Sequence, residues 1–106
     1  MIQEYEIVVI GAGPAGLSAG IFVARQRTSC LIISKDLGGQ LNLIPKLENY
    51  PGTIMSSGPL LARTLENQFL TFGGEITYDT VERIDEFEDG LKIKTIRSEY
   101  VAKAVV

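Results

Sequence analysis

The feature that most constrains this 106-residue chain is a glycine-rich hexapeptide, Gly11–Gly16 (GAGPAG), between two strongly patterned segments. Residues 4–10 end in four β-branched residues and predict a strand buried on both faces, as in a parallel sheet. From Pro14 to about Arg27 the spacing of apolar and small residues predicts a helix, and proline suits its first turn. Residues 29–33 predict a second buried strand. The chain therefore begins with a strand–helix–strand unit, which is typical of α/β folds with a right-handed crossover.

The hexapeptide matches the pattern G-x-G-x-x-G, in which each glycine has a mechanical role. Gly11 makes the turn from strand to helix, Gly13 lets the backbone approach a pyrophosphate, and Gly16 permits close packing of the helix on the strand. The N–H groups of the first helical turn have no partner within the helix, so they and the helix dipole face an anion. The loop predicts a dinucleotide site, against the alternative of a glycine-rich turn that binds nothing.

The middle of the chain combines an irregular stretch with a second helix. Residues 35–57 show little periodicity, which is typical of a functional loop inside a compact domain. A helix is predicted from about Pro59 to Phe72, with Ser56 or Ser57 as its N-cap and Gly73 as its end. The predicted buried faces of the two helices are Leu17, Gly20, Ile21 and Ala24 in the first, and Leu61, Leu65 and Phe69 in the second.

The last third of the chain predicts short strands. They are residues 75–78, 81–87 and 91–96, with a hairpin turn at Asp89-Gly90, and a final strand from about Glu99 into Val105 and Val106. The predicted fold is therefore α/β: a Rossmann-like FAD/NAD(P)-binding βαβ unit with one further helix and an added antiparallel β-meander. Because the final strand has no turn or cap after it, the fold is expected to be incomplete, as a piece of a longer enzyme.

Composition excludes several classes of function. Hydrophobic residues make up 45% and charged residues 22%, which is ordinary for a globular domain. A net charge of −3 argues against nucleic acid or an anionic membrane surface as the main partner. The single cysteine, Cys30, excludes an internal disulfide and is expected to be an inert core residue. The acidic N-terminus is unlike a secretory signal, so a cytoplasmic location is expected.

Acidic residues are concentrated in the predicted meander. Seven of the 13 acids fall between Glu75 and Asp89. Charged residues in such a run usually form a solvated face. We therefore expect these acids on the outer surface of the meander.

The end of the second strand departs from the usual dinucleotide pattern. An acid is expected there to bind the adenosine ribose hydroxyls, but the position holds Ser34 followed by Lys35. Ser34 could bind a ribose weakly, and Lys35 could meet a phosphate. Asp36 follows, and we expect it in the loop after the strand.

Three motifs together resemble the FAD-binding amino terminus of low-molecular-weight thioredoxin reductases, the bacterial and archaeal type within the pyridine nucleotide-disulfide oxidoreductases. They are the glycine loop with its flanks (residues 8–19), Gly38-Gly39-Gln40-Leu41, and residues 47–52 (LENYPG), in the order of that family. Residues 99–106 resemble the strand that leads into the family's A-T-G motif. The resemblance implies that residues 1–106 are the amino-terminal part of an FAD-binding domain, without the NADPH domain and the carboxyl-terminal FAD segment.

The resemblance also implies which residues contact FAD. The glycine loop would hold the pyrophosphate, and the Gly38–Gln40 bend would wrap the pyrophosphate–ribitol region. Asn49 would reach the flavin, and the backbone of Val81 would hold the adenine edge. The implied cofactor-binding residues are Gly11, Ala12, Gly13, Pro14, Ala15, Gly16, Ser34, Lys35, Gly38, Gly39, Gln40, Asn49 and Val81. No catalytic and no metal-binding residue is predicted.

The activity implied by the resemblance belongs to a larger enzyme. Electrons would pass from NADPH, bound to a domain absent from this chain, through FAD to a cysteine pair and then to thioredoxin or a similar redox protein. Full-length relatives are expected to be homodimers. The isolated chain is expected to lack reductase activity and to bind FAD weakly or not at all. Two alternatives stay open: a thioredoxin reductase-like ferredoxin–NADP reductase, and a non-catalytic dinucleotide-binding remnant.

Overall fold

The structure is a computed structural model that describes residues 2–53 and 56–106. Nine elements follow each other along these residues. They are β1 (Gln3–Ala12), α1 (Pro14–Arg25), β2 (Cys30–Leu37), a short 3₁₀ helix η1 (Gly39–Leu43), α2 (Gly58–Thr71), β3 (Glu75–Tyr78), β4 (Val81–Phe87), β5 (Gly90–Thr95) and β6 (Glu99–Val105).

All six strands belong to one sheet in the order β3-β2-β1-β6-β5-β4. The neighbours β3, β2, β1 and β6 run parallel, whereas β6, β5 and β4 form an antiparallel meander. Strand β6 therefore belongs to both halves. The predicted α/β class, with a Rossmann-like βαβ unit and an added meander, is confirmed.

Helices α1 and α2 pack on one face of the parallel half of the sheet. Both predicted apolar faces are buried as expected, with Leu17 and Phe69 fully covered. A Cβ at Gly20 would lie 2.9 Å from side-chain atoms of both Ile32 and Phe69. Gly20 of α1 therefore packs directly against Phe69 of α2 and Ile32 of β2, and a larger residue would not fit there. A second cluster on the other face contains Val8, Leu31, Ile33, Ile93, Tyr100 and Ala102.

The ends of α2 follow the prediction closely. The Ser57 hydroxyl accepts a hydrogen bond from the Leu60 N–H at 3.2 Å, so Ser57 is the N-cap. After the last turn Gly73 adopts a φ of +93°, which few other residues tolerate. Helix α1 ends at Arg25, two residues before the predicted boundary.

Three sequence-based expectations are wrong. Strand β2 does not end at residue 33 but runs to Leu37, because its ladder with β1 resumes at Ala12 after an irregularity. Asp36 therefore lies within β2 and not in a loop. The hairpin turn is one residue earlier than predicted: Phe87 pairs with Gly90, so Glu88 and Asp89 form the turn.

The third error concerns the acidic run. Six of its members are exposed as expected, but Asp79 is buried. Within residues 2–53 and 56–106, no helix combines the length and the apolar character needed to cross a membrane.

Candidate functional site

The two glycine-containing bends predicted to share a ligand are in contact. The Gly38 N–H donates to the Ala12 carbonyl at 2.8 Å. A Cβ at Gly39 would lie 3.7 Å from the Cα of Gly13, and one at Gly13 would lie 3.9 Å from the Gly38 carbonyl oxygen. The backbones thus face each other with no side chain between them at these positions. A single ligand can therefore contact both bends.

The second bend requires glycine for two reasons. Gly38 and Gly39 adopt φ values of +98° and +54°, a region that disfavours residues with a Cβ. The space beside Gly38 is also filled, since a Cβ there would lie 2.8 Å from the Asn42 Oδ1. Asn42 is fixed in that place because its amide donates to the Leu37 carbonyl at 2.7 Å. Asn42 therefore packs against one side of the bend, and the other side, at Gly39, faces the glycine loop.

The start of α1 has the geometry of an N-cap but no side chain that caps it. Gly13 occupies the cap with φ −79° and ψ −175°, and the first turn holds no acidic residue. The backbone comes close here, because a Cβ at Gly16 would lie 1.9 Å from the Gly11 carbonyl oxygen. Neither a capping side chain nor a local carboxylate therefore satisfies the N–H groups of this turn, which are suited to an anion.

Two cavities meet over the carboxyl end of β1. The glycine cavity, of ≈ 470 Å³, lies between the start of α1 and the Gln40–Ile44 segment. The strand-end cavity, of ≈ 390 Å³, lies between the end of β2 and the β3–β4 junction. Both are lined by Ile10 and Gly11, so the two cavities are neighbours, and together they are called the groove below. Two neighbouring cavities suit a dinucleotide, whose two halves are joined by a pyrophosphate.

Most of the predicted cofactor residues lie along this groove. Those that line it are Gly11, Gly13, Pro14, Ala15, Gly16 and Gln40 in the glycine cavity, and Ser34, Lys35 and Val81 in the strand-end cavity. Sequence reasoning missed Thr80 and Asp79, and it placed Asp36 in a loop, although all three line the strand-end cavity. The spacing of Asp36 from the glycine loop was the one available signal.

Four predicted residues, Ala12, Gly38, Gly39 and Asn49, are not among the residues that line the groove. Gly38 and Gly39 lie next to it in the second bend, on the amino-terminal side of Gln40. Ala12 is buried, and both of its backbone groups are used within the chain: its N–H donates to the Ser34 hydroxyl at 3.1 Å and its carbonyl accepts from Gly38. Asn49 lies in a separate depression formed by residues 48–53. That loop is closed by an antiparallel bridge between Leu47 and Ser56, and Tyr50 packs against the main core.

Hydrogen bonds limit what Ser34 can offer a ribose. Its hydroxyl accepts from the Ala12 N–H and donates to the Asp36 carbonyl at 2.6 Å. Its single proton is thus used, so Ser34 can only accept from a ligand. The Asp36 side chain is exposed at the cavity wall. It also lies near Tyr78, whose pKa is raised to about 12 by burial, by its hydrogen bond to Glu66 and by the Asp36 charge.

Size alone does not identify the site. A larger cavity of ≈ 550 Å³ lies near the start of β1 and includes Glu4, Glu6 and Asp89 in its lining. These three carboxylates outnumber the one cation among the described lining residues, Lys103, so the cavity is unfavourable for a phosphate, and none of those residues is glycine. Cys30 is buried in β2, where burial raises the pKa of its thiol to about 11 and disfavours a reactive thiolate.

Comparisons with known proteins agree with this geometry. Residues 6–43, which contain the glycine loop and the second bend, match the family model "FAD binding domain". The chain is homologous to the amino-terminal part of thioredoxin reductases. It is 38% identical to the thioredoxin reductase of Peptoclostridium litorale, over 100% of the chain and 34% of that protein. With that of Bacillus subtilis the identity is 33%, over 96% of the chain and 33% of the relative.

A solved structure extends the comparison to the fold. The thioredoxin reductase of Streptococcus pyogenes superimposes with a TM-score of 0.93 at 37% identity, over 99% of this chain and 35% of that one. The chain thus spans about one third of the length of the thioredoxin reductases it matches. FAD is the cofactor that these matches support.

The residues of the groove fit FAD. The glycine backbones leave room for a pyrophosphate at the start of α1, where N–H groups and the helix dipole attract its charge. The lining of the strand-end cavity includes the Ser34 oxygen, the Asp36 carboxylate and the backbone of Val81, which are groups of the kind that bind a ribose and an adenine. The glycine cavity continues to the Gln40 amide on the other side.

Proposed function

We propose that this chain forms the FAD-binding portion of a thioredoxin reductase-like flavoprotein, which passes electrons from NADPH through FAD to the disulfide of thioredoxin or a similar protein. The observation that supports this most directly is the contact between the two glycine bends beside the groove. The relatives named thioredoxin reductase support the electron acceptor. The two alternatives, a thioredoxin reductase-like ferredoxin–NADP reductase and a non-catalytic dinucleotide-binding remnant, receive no support from these comparisons.

The chain's own residues would bind and orient the cofactor. The N–H groups of the glycine loop would hold the pyrophosphate, and Gly38, Gly39 and Gln40 would enclose it from the other side. Ser34 and Lys35, joined by Asp36, would face the adenosine ribose, and Val81 would meet the adenine edge. When bound, FAD supplies the chemistry, taking a hydride from a nicotinamide and delivering electrons to a disulfide.

Asn49 and the larger assembly complete the proposal. Asn49 would approach the flavin from the loop of residues 48–53, which lies apart from the groove. NADPH and thioredoxin would contact parts of the enzyme beyond residues 1–106. A homodimeric enzyme in the cytoplasm, with neither nucleic acid nor membrane as a partner, remains our expectation.

The proposal is tested by titrating the ¹⁵N-labelled chain with ADP and following backbone amide resonances. We expect the largest shifts at Gly13, Ala15 and Gly16, because their N–H groups would meet the diphosphate. Adenosine is the matched control: it should shift residues of the strand-end cavity such as Val81 but leave the glycine loop unchanged. Absence of shifts in the glycine loop with ADP at millimolar concentration would contradict the proposed site.

Activity provides a second test. The chain with FAD and NADPH is expected not to reduce thioredoxin, because the proposed role of these residues is to bind and orient the cofactor. The assay follows NADPH oxidation in the presence of oxidised thioredoxin. Reduction of thioredoxin by the pure chain would refute the proposal that these residues only bind and orient the cofactor.

A further inference from the structure

The wall of the strand-end cavity contains a carboxylate, Asp79, that is buried although the other acids of its sequence segment are exposed. Among the seven acids between Glu75 and Asp89, Asp79 alone is buried, and its side chain is 4% exposed. It lies at the junction between β3 and β4, next to Thr80 and Val81, and all three residues line the cavity. A buried carboxylate is costly unless donors surround it, so its partners indicate what it stabilises.

Every partner of the Asp79 carboxylate lies in the cavity wall or in the turn between β5 and β6. One oxygen accepts from the Thr80 N–H at 2.8 Å, and the other accepts from the Arg97 N–H at 3.3 Å. The Arg97 Nε lies 3.6 Å from that second oxygen. The Thr95 hydroxyl is the strongest of the influences that lower the pKa of Asp79, followed by the Thr80 and Arg97 amides and the Arg97 charge, and burial opposes them.

Backbone bonds attach the same junction on both sides. The Asp79 N–H donates to the Ser34 carbonyl at 2.9 Å, which joins the junction to the end of β2. The Ile96 N–H donates to the Thr80 carbonyl at 3.1 Å, and the Arg97 guanidinium donates to the Tyr78 carbonyl. Residues 78–80 are therefore held between β2, whose end lines the cavity, and the β5–β6 turn.

We propose that Asp79 is a positioning residue for the adenosine half of the cofactor: its buried carboxylate fixes the Thr80–Val81 backbone against the β5–β6 turn at the spacing from Ser34 that the adenosine requires. The inference rests on the proposed cofactor groove and adds a residue that does not touch the reacting flavin. Val81 acts through this arrangement, because it begins β4 opposite Thr95.

The bonds to backbone amides matter more than the ion pair. The Arg97 side chain is 64% exposed, and exposed ion pairs contribute little. Replacing the carboxylate by an amide of the same shape would instead place an NH₂ group against N–H donors that need an acceptor. Asp79→Asn therefore removes one of the two acceptor oxygens and the negative charge, while keeping the volume of the side chain.

The experiment compares two probes, ADP and inorganic pyrophosphate, that differ by the adenosine. Dissociation constants of the chain and of Asp79→Asn are measured by NMR titration well below the thermal midpoint of each protein. We expect Asp79→Asn to weaken ADP binding about ten-fold, the effect of losing a hydrogen bond to a charged group, and to change pyrophosphate binding less than about two-fold. Asp85→Asn, the same change at an exposed carboxylate of β4, should alter neither constant.

A second variant keeps the inference testable if Asp79→Asn does not fold. Arg97→Ala removes an exposed side chain that contacts both Asp79 and the Tyr78 carbonyl, and it should weaken ADP two- to three-fold (about 0.5 kcal/mol) with pyrophosphate unchanged. Equal loss of both probes, or unchanged ADP binding, in the folded variants would overturn the positioning role alone. If the unmodified chain bound neither ADP nor FAD, the cofactor groove itself would be wrong.

Discussion

The first turns of α1 and α2 both contain backbone N–H groups that have no partner within the helix, but only α2 has a side chain that accepts from one of them. Each helix has a proline in its first turn and no acidic residue there, so each leaves backbone N–H groups to be satisfied. At α2 the Ser57 hydroxyl accepts one of these hydrogen bonds. At α1 the cap is Gly13, which has no side chain to do so, and the turn opens onto the glycine cavity.

Packing around the two starts is nevertheless alike. A Cβ at Gly16 would lie 1.9 Å from the Gly11 carbonyl oxygen, and a Cβ at Gly58 would lie 1.7 Å from that of Leu41. Close backbone contact is thus a structural requirement at both helices, whereas the missing cap occurs only at α1. The difference teaches that the uncapped turn, and not glycine content as such, marks the ligand site.

The largest expected effect tests the shared requirement. Gly16→Ala and Gly58→Ala should each lower the free energy of unfolding by about 3 kcal/mol or more, because the new methyl group would collide with backbone that cannot move aside. Urea denaturation measures the change. Gly13→Ala is the control, since its Cβ would have ordinary contacts and should cost no more than about 1 kcal/mol. Equal stability of all three variants would contradict the close backbone contacts at Gly16 and Gly58.

The next effect tests the missing cap. Gly13 has the extended backbone of an N-cap, so Gly13→Asp should cap the turn and raise the free energy of unfolding by about 1 kcal/mol. The same carboxylate should weaken ADP binding at least about ten-fold, because it takes the N–H groups and repels the diphosphate. Thermal denaturation and calorimetric titration measure the two changes. Gly13→Ser, which caps without charge, separates them. Unchanged ADP affinity in Gly13→Asp would argue against the site.

Removal of the existing cap should affect stability alone. Ser57→Ala should cost about 1 kcal/mol of unfolding free energy, since one N–H of the first turn of α2 loses its acceptor. Ser56→Ala is the matched control, because among residues 2–53 and 56–106 the Ser56 hydroxyl donates to the Ser57 carbonyl and does not cap the helix. Denaturation with and without ADP gives both stability and affinity. A loss of ADP affinity in Ser57→Ala would contradict the conclusion that the ligand site is at the start of α1 and not at the start of α2.

The smallest expected effects are at the carboxyl ends of the helices, where α1 and α2 also differ. Helix α2 is followed by Gly73 at φ +93°, but the corresponding left-handed position after α1 is Arg27 at φ +60°. Gly73→Ala should cost about 1 kcal/mol through backbone strain, because no atom obstructs the new methyl group. Arg27→Gly should add about 0.5 kcal/mol, the relief of strain less the entropy of glycine. Thermal midpoints compare the two variants with the unmodified chain. A higher midpoint for Gly73→Ala or a lower one for Arg27→Gly would contradict the assigned backbone conformations.

The βαβ unit and the helix faces could be predicted because local sequence determines them. Four β-branched residues before Gly11 and the spacing of Leu17, Gly20, Ile21 and Ala24 leave few other arrangements. The N-cap of α2 follows from Ser57 for the same reason. The contact of the two glycine bends was expected only through the family resemblance, since the segments are separated by a whole strand.

The errors arise where distant segments decide. Residues 34–36 are polar, so their sequence favours a loop, but the pairing of Leu37 with Ala12 and the bond from the Gly38 N–H to the Ala12 carbonyl continue the strand. Asp79 was assigned to a solvated surface because its neighbours are acidic. Its burial depends on the backbone N–H and the guanidinium of Arg97, which lies 18 residues away in the sequence. No local pattern distinguishes a buried carboxylate from the exposed ones beside it.

The pairing of β1 with β6 has a consequence for how the groove assembles during synthesis. The Ile10 N–H donates to the Val106 carbonyl at 2.9 Å, and the Val106 N–H donates to that of Val8, immediately before the glycine loop. A nascent chain therefore keeps one edge of its central strand unpaired until this partner has left the ribosome. Until then the backbone N–H and C=O groups along that edge are free to pair with another chain, so association through β1 is a hazard of the partly synthesised protein.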